Sequence, residues 1–220
     1  MQQTFIEILR SSVDDRRALF STVAAHLETR AENVEKDLYV CWVLDFLFNR
    51  RPNDPVGLYF KGGTSLSKAY GLISRFSEDI DIGIYKADLK VPLEADIAAL
   101  PSVNQQQRAL AEKVDEAARQ YISGPLKELL AKETAAIEEA AGQDGHFSLA
   151  FGFDAYRNKD ALDILVVGYK SVFDSGNGYV QAASASKAAR VPIPSRPSCA
   201  RSCPTSLRKC QPARTYQCRM

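Results

Sequence analysis

A chain of 220 residues, 45% hydrophobic and 25% charged, is long enough for one sizeable core, and no apolar run approaches the ~20 residues a membrane-spanning helix needs. The opening stretch MQQTFIEILRSSVDDRRALF mixes charge into every turn, which argues against a signal peptide and makes the cytoplasm the expected compartment. The net charge of +1 conceals an asymmetry: residues 1–183 carry 20 basic and 27 acidic side chains, a net of −7, whereas residues 184–220 carry eight basic and no acidic ones.

Apolar residues at three- and four-residue steps predict a helix over 4–29 (Phe5, Ile8, Leu9, Val13, then Leu19, Phe20, Val23, Leu27). A second helix is expected over 31–49, AENVEKDLYVCWVLDFLFN, stopping at Arg51-Pro52. Asn53-Asp54-Pro55 reads as a turn. VGLYF is short, apolar and β-prone, so it reads as a buried strand. SLSKAYGLISRF fits a helix entered from a glycine loop, and DIDIGIY alternates with the period of a strand. Residues 104–141 read as helical, with a break expected at Ser123-Gly124-Pro125. FSLAFGFDAY and ALDILVVGYKSVF are two further strands. The turn Asp174-Ser175-Gly176-Asn177-Gly178 leads into a last strand at YVQAA.

The chemistry concentrates in KGGTSLSKAYGLISRFSEDIDIGIY, residues 61–85. Asp79 and Asp81 are two apart, so a strand points both carboxylates to one face. Such a pair repels itself unless a cation sits between, which suits Mg²⁺ shared with substrate phosphates. At Gly62-Gly63-Thr64-Ser65, missing Cβ atoms let backbone N–H groups and a hydroxyl approach a phosphate. Each half alone has a bland reading: a Gly-Gly turn, and a solvated strand face. The spacing is not that of a Walker A loop. Together the halves suit metal-assisted nucleotidyl transfer.

EKDLYVCWVL at 35–44, YFKGGTSLSKAYGLISRFSEDIDI at 59–82 and DILVVGYKSVF followed by GYVQ resemble the AbiEii/AbiGii-type nucleotidyltransferase toxins, over roughly residues 30–183. That family is the toxin half of bacterial toxin–antitoxin and phage-defence (abortive infection) operons. The resemblance implies an α/β fold of the DNA polymerase β-like nucleotidyltransferase type, with helices around a small mixed sheet. It implies Mg²⁺-dependent transfer of a nucleotide from an NTP to an acceptor, tRNA being the candidate, and a cognate antitoxin encoded nearby. By position it implies that Gly62, Gly63 and Ser65 line the phosphates and that Asp79 and Asp81 hold Mg²⁺. Lys61 and Lys68 flank the loop and read either as phosphate contacts or as solvated lysines. Glu35, Lys36 and Asp37 match an N-terminal signature whose bland reading is a helix-face ion pair.

The resemblance stops near Ala183. The further acid and the basic–acidic motifs that the family places downstream are not found there, and Asp163, the nearest spare carboxylate, reads as structural. Residues 184–220 hold five of the ten prolines and Cys199, Cys203, Cys210 and Cys218. They are expected to form a disordered basic tail after an incomplete nucleotidyltransferase-like domain at 1–183. Read one nucleotide earlier, codons compatible with this segment can encode a strand alternating apolar, basic, apolar and acidic residues. A frameshift near Ala183 is therefore the leading reading of the tail. A genuine basic tail that binds RNA is an alternative; the cysteine spacing does not suit zinc. The competing function for the chain is a catalytically incomplete fragment that keeps only nucleotide or antitoxin binding. His26 and His146 lie near no candidate nucleophile, which argues against a hydrolase triad.

Overall fold

The computed structural model describes residues 1–52, 54–68, 80–91, 95–152, 164–173 and 177–184. Expectations for Asn53, Asp79, Asp163, the Asp174–Gly176 turn and the tail from 185 onward fall outside them.

The predicted helix over 4–29 divides into α1 (Gln2–Arg10) and α2 (Val13–Leu27). Ser11 and Ser12 are extended, with ψ of 155° and 159°. The Ser12 hydroxyl accepts a 3.1 Å hydrogen bond from the Asp15 N–H. Serine competes with the helix for its own backbone donors, so it starts a new helix rather than continuing the old one. Helix α3 (Ala31–Asp45) runs into a wide π turn, Phe46–Arg50. Five successive residues, Val40 to Leu44, are fully buried, so the C-terminal half of α3 is apolar all round and is packed on every side. The Trp42 ring stacks on Phe5 of α1 at 5.1 Å and on Phe147 at 5.1 Å.

Strand β1 (Leu58–Lys61) pairs antiparallel with β2 (Asp81–Ile84), joining Lys61 to Asp81 and Tyr59 to Gly83 in register. Helix α4 (Gly62–Lys68) follows β1 without a connecting loop. A short helix α5 (Ala95–Ala98) precedes α6 (Val103–Tyr121), which the Ser102 hydroxyl caps. The interruption expected at Ser123-Gly124-Pro125 is present as a change of helix type, not as an end to the helical path. The chain passes through a second π turn, Ile122–Leu126, and continues as α7 (Lys127–Ala141) to a left-handed Gly142. A proline in an α-helix lacks its N–H and clashes with the carbonyl four residues back. The wider turn accommodates Pro125 while Ile122 and Leu126 on either side stay buried.

Strands β3 (Phe147–Phe151), β4 (Ile164–Lys170) and β5 (Asn177–Ser184) form a second antiparallel sheet in that order. The fold is therefore α/β, as expected. In place of one small mixed sheet, the described strands form two antiparallel pieces, with β2 packed near β5. Alternation explains the ribbon: Ile82 and Ile84 of β2 face the core, which turns Asp81 and Gly83 to the other side.

Candidate functional site

Four of the residues singled out from sequence come together where β1 gives way to α4. Gly62 has φ +78°, a conformation glycine adopts without penalty. A Cβ built on Gly62 would collide with the Asp81 side chain, its Oδ2 atom foremost. The carboxylate thus lies directly against the glycine backbone. Lys61, one residue earlier, is the register partner of Asp81. Gly63 is exposed, and a Cβ added there would meet nothing within 4 Å.

Ser65 occupies a different position from the one expected. It is buried, and its hydroxyl donates to the Gly62 carbonyl at 2.7 Å. It closes the first turn of α4 and does not line an open surface. What reads as a loop in the sequence is the beginning of a helix, because glycine at a positive φ lets the chain turn from strand to helix with no intervening residues. Asp79 lies outside the described residues, so the carboxylate pair is represented by Asp81 alone. Among the described residues, no group of three His, Cys, Asp or Glu side chains gathers as a metal site.

Further along the same face of the ribbon, a Cβ on Gly83 would strike the Tyr59 ring, so glycine makes room for the tyrosine. The Tyr59 hydroxyl is buried and has no hydrogen-bond partner among the described residues. Burial, and then Tyr85 nearby, push its pKa up.

The Glu35-Lys36-Asp37 stretch of α3 corrects the reading as a helix-face ion pair. Each side chain reaches a different element. The buried Glu35 carboxylate accepts from the Ser171 hydroxyl at 2.5 Å and the Val172 N–H at 2.9 Å, just past β4. Burial raises the Glu35 pKa, and these hydrogen bonds, with Arg16, pull it back. The Lys36 ammonium lies 4.8 Å from the centre of the Tyr179 ring in β5. Asp37 forms an ion pair with Lys68 of α4. Lys68 is therefore neither simply solvated nor turned to an open phosphate position. Sequence reasoning did not connect Asp37 with Lys68; they are 31 residues apart, and no local period relates them.

A second polar group lies in the core between α2, α3 and the sheet. The Tyr39 hydroxyl is 2.7 Å from Nε2 of the buried His146, and the Tyr39 ring stacks on Tyr169. Burial, followed by the charges of Arg16 and Lys170, pushes the His146 pKa down to about 4. A neutral imidazole fits the hydrogen bond from the phenol.

Residues 45–199 match the family model described as Nucleotidyl transferase AbiEii toxin, Type IV TA system. The match spans more than two thirds of the chain and takes in β1, α4, β2 and all of the second sheet. It begins after the Glu35–Asp37 stretch and runs beyond the compositional boundary near 183. The chain belongs to the AbiEii nucleotidyl transferase toxin family of type IV toxin–antitoxin systems. That membership implies an antitoxin as partner. No curated protein and no solved structure matches the chain. Among the described residues, no helix is long and apolar enough to cross a membrane.

Proposed function

We propose that this protein transfers a nucleotide from an NTP to a hydroxyl of an acceptor, with Mg²⁺ as cofactor and tRNA as the acceptor to test first. The carrying observation is the contact between the Gly62 backbone and the Asp81 carboxylate. It sets a surface without a side chain, where a triphosphate can approach, beside an oxygen donor of the kind Mg²⁺ takes. The fit to the metal rests on that donor and on the bare glycine surface; Asp79, two residues earlier, would supply the second carboxylate. Bound there, Mg²⁺ would neutralise the phosphate oxygens and the charge on the departing pyrophosphate. The fold proposed for this chemistry is that of the DNA polymerase β-like nucleotidyltransferases, supported by the family and by the strand–glycine–helix order of β1 and α4.

The chain's own residues bind and orient. Gly62 and Gly63 offer backbone N–H groups, and Lys61 adds positive charge beside Asp81. Ser65 holds the turn through the Gly62 carbonyl. In the transfer the acceptor oxygen bonds to the α-phosphorus, the bond from that phosphorus to the bridging oxygen breaks, and pyrophosphate leaves. The hydroxyl proton passes to solvent.

The test offers each labelled NTP with Mg²⁺ and bulk tRNA to the wild type, Asp81→Ala and Gly63→Ala. Loss of transfer in Asp81→Ala supports the site, and full transfer refutes it. Gly63→Ala separates binding from folding. Alanine meets no neighbour there and favours a helix by about 0.5–1 kcal/mol, so weaker NTP binding in a folded variant would show that phosphate touches this backbone. Nucleotide binding without transfer to any acceptor would favour the binding-only fragment.

A further inference from the structure

We infer that Asp37 is a positioning residue for the nucleotide site, acting through Lys68 on the glycine end of α4. This role rests on the nucleotidyl-transfer reading of that site. Asp37 lies on the central helix α3, outside the span of the family match. Its Oδ2 pairs with the Lys68 ammonium at the far end of α4, and both side chains are largely withdrawn from water, at 22% and 16% exposure. The other carboxylate oxygen, Oδ1, is buried without a hydrogen-bond partner among the described residues. A charge so placed depends on its ion pair, because breaking the pair leaves it both desolvated and uncompensated.

The lever is short. From Gly62 to Lys68, α4 spans seven residues, roughly 10 Å of helix. A shift at Lys68 is therefore carried to Gly62, whose backbone lies against the Asp81 side chain. The Ser65–Gly62 hydrogen bond makes the first turn move as a unit. The two residues before Asp37 anchor the end of β4 and the Tyr179 ring of β5 to the same helix. Successive helical residues point about 100° apart, so three neighbours in sequence reach three neighbours in space. This stretch of α3 thus ties together the end of β4, β5, which packs near β2, and α4, which adjoins Asp81.

The experiment compares wild type, Asp37→Asn, Asp37→Glu, Lys68→Asp and the exchanged pair Asp37→Lys/Lys68→Asp. NTP affinity is measured with Mg²⁺ and a non-hydrolysable analogue, and hydrogen exchange is followed at the α4 and β4 amides. Asp37→Asn is expected to weaken NTP affinity by about tenfold or more and to speed exchange in α4 while β4 stays protected. Asp37→Glu should recover part of the affinity, and the exchanged pair should bind better than Lys68→Asp alone. Wild-type affinity in folded Asp37→Asn overturns the role and leaves the site reading intact. If Asp37→Asn does not fold, the exchanged pair decides: affinity no better than that of Lys68→Asp means that Lys68 meets phosphate itself. A wild type that binds no NTP refutes the site, and this role with it.

Discussion

At the scale of single residues, Gly62 and His146 make opposite kinds of demand. Gly62 must be glycine both for its φ and for the Asp81 side chain lying against it. Gly62→Ala is expected to cost about 1–3 kcal/mol of stability and to push Asp81 aside, so urea unfolding and NTP binding should both suffer. An unchanged unfolding midpoint would show that the turn has room. His146 must be neutral. Its pKa falls from 6.5 to about 4 on folding, so between those values the unfolded chain binds more protons. Stability contributed by His146 is complete above pH 6.5 and is lost as pH falls towards 4, by up to about 3 kcal/mol. Glu35 acts in the other direction, since its raised pKa favours the folded state when it is protonated. Comparing wild type with His146→Gln cancels the Glu35 contribution. The variant should lose less stability between pH 6.5 and 4, and parallel curves would refute the assignment to His146.

At the scale of elements, the β1–β2 ribbon is held from behind by a network reaching α6. The Tyr121 hydroxyl donates to Asp54 at 2.6 Å and accepts from Arg51 at 2.6 Å, while Asp54 and Arg51 bond the backbone of Val56. Tyr121→Phe should cost about 1–2 kcal/mol and loosen the entry to β1, seen as faster exchange there; full protection would show that the turn stands without it. The same elements show what the sequence carried. β1, β2, β4 and β5 were legible because short apolar or alternating runs between turn residues have few other uses. The glycine–Asp81 contact was legible because glycine and carboxylate fall at the junctions of those elements. The helix ends were less so. Ser11-Ser12 fits inside an apolar period, and only the Ser12 cap to Asp15 marks the break. Ties such as Glu35 to Val172 and Asp37 to Lys68 join distant segments, and no local pattern encodes them.

At the scale of the whole molecule, aromatic and aliphatic side chains from both ends of the described chain converge on α3. Phe5, Trp42 and Phe147 form one cluster in which each ring contacts the other two, so α1 and β3 are locked to the central helix together. Most of this core was visible as apolar periodicity, but its centre was not. The 31–49 segment reads as a helix with a broad apolar face, and only packing on several sides explains why Val40 to Leu44 are all buried. The split between an acidic body and a basic segment after residue 183 is plain in the composition.

The wide turn at Ile122–Leu126 solves a problem of phase. Val114, Ala118, Ile122, Leu126, Leu130 and Thr134 are all buried and recur every four residues. An α-helix completes a turn in 3.6 residues, so such a stripe drifts by about 40° at each step and would wind away from the core within two or three turns. The π turn takes up one residue without the matching rotation and resets the stripe. Helices α6 and α7 thus behave as one rod with a vernier at its middle. Adding one residue there, by inserting an alanine after Ser123, should turn the whole of α7 by about 100° and bring Leu130 and Ile137 out of the core. The expected loss exceeds about 4 kcal/mol, measured by urea unfolding. Pro125→Ala keeps the count and should fold normally. If the insertion is as stable as the wild type, the helix absorbs the extra residue and the spacing of the stripe does not set the turn.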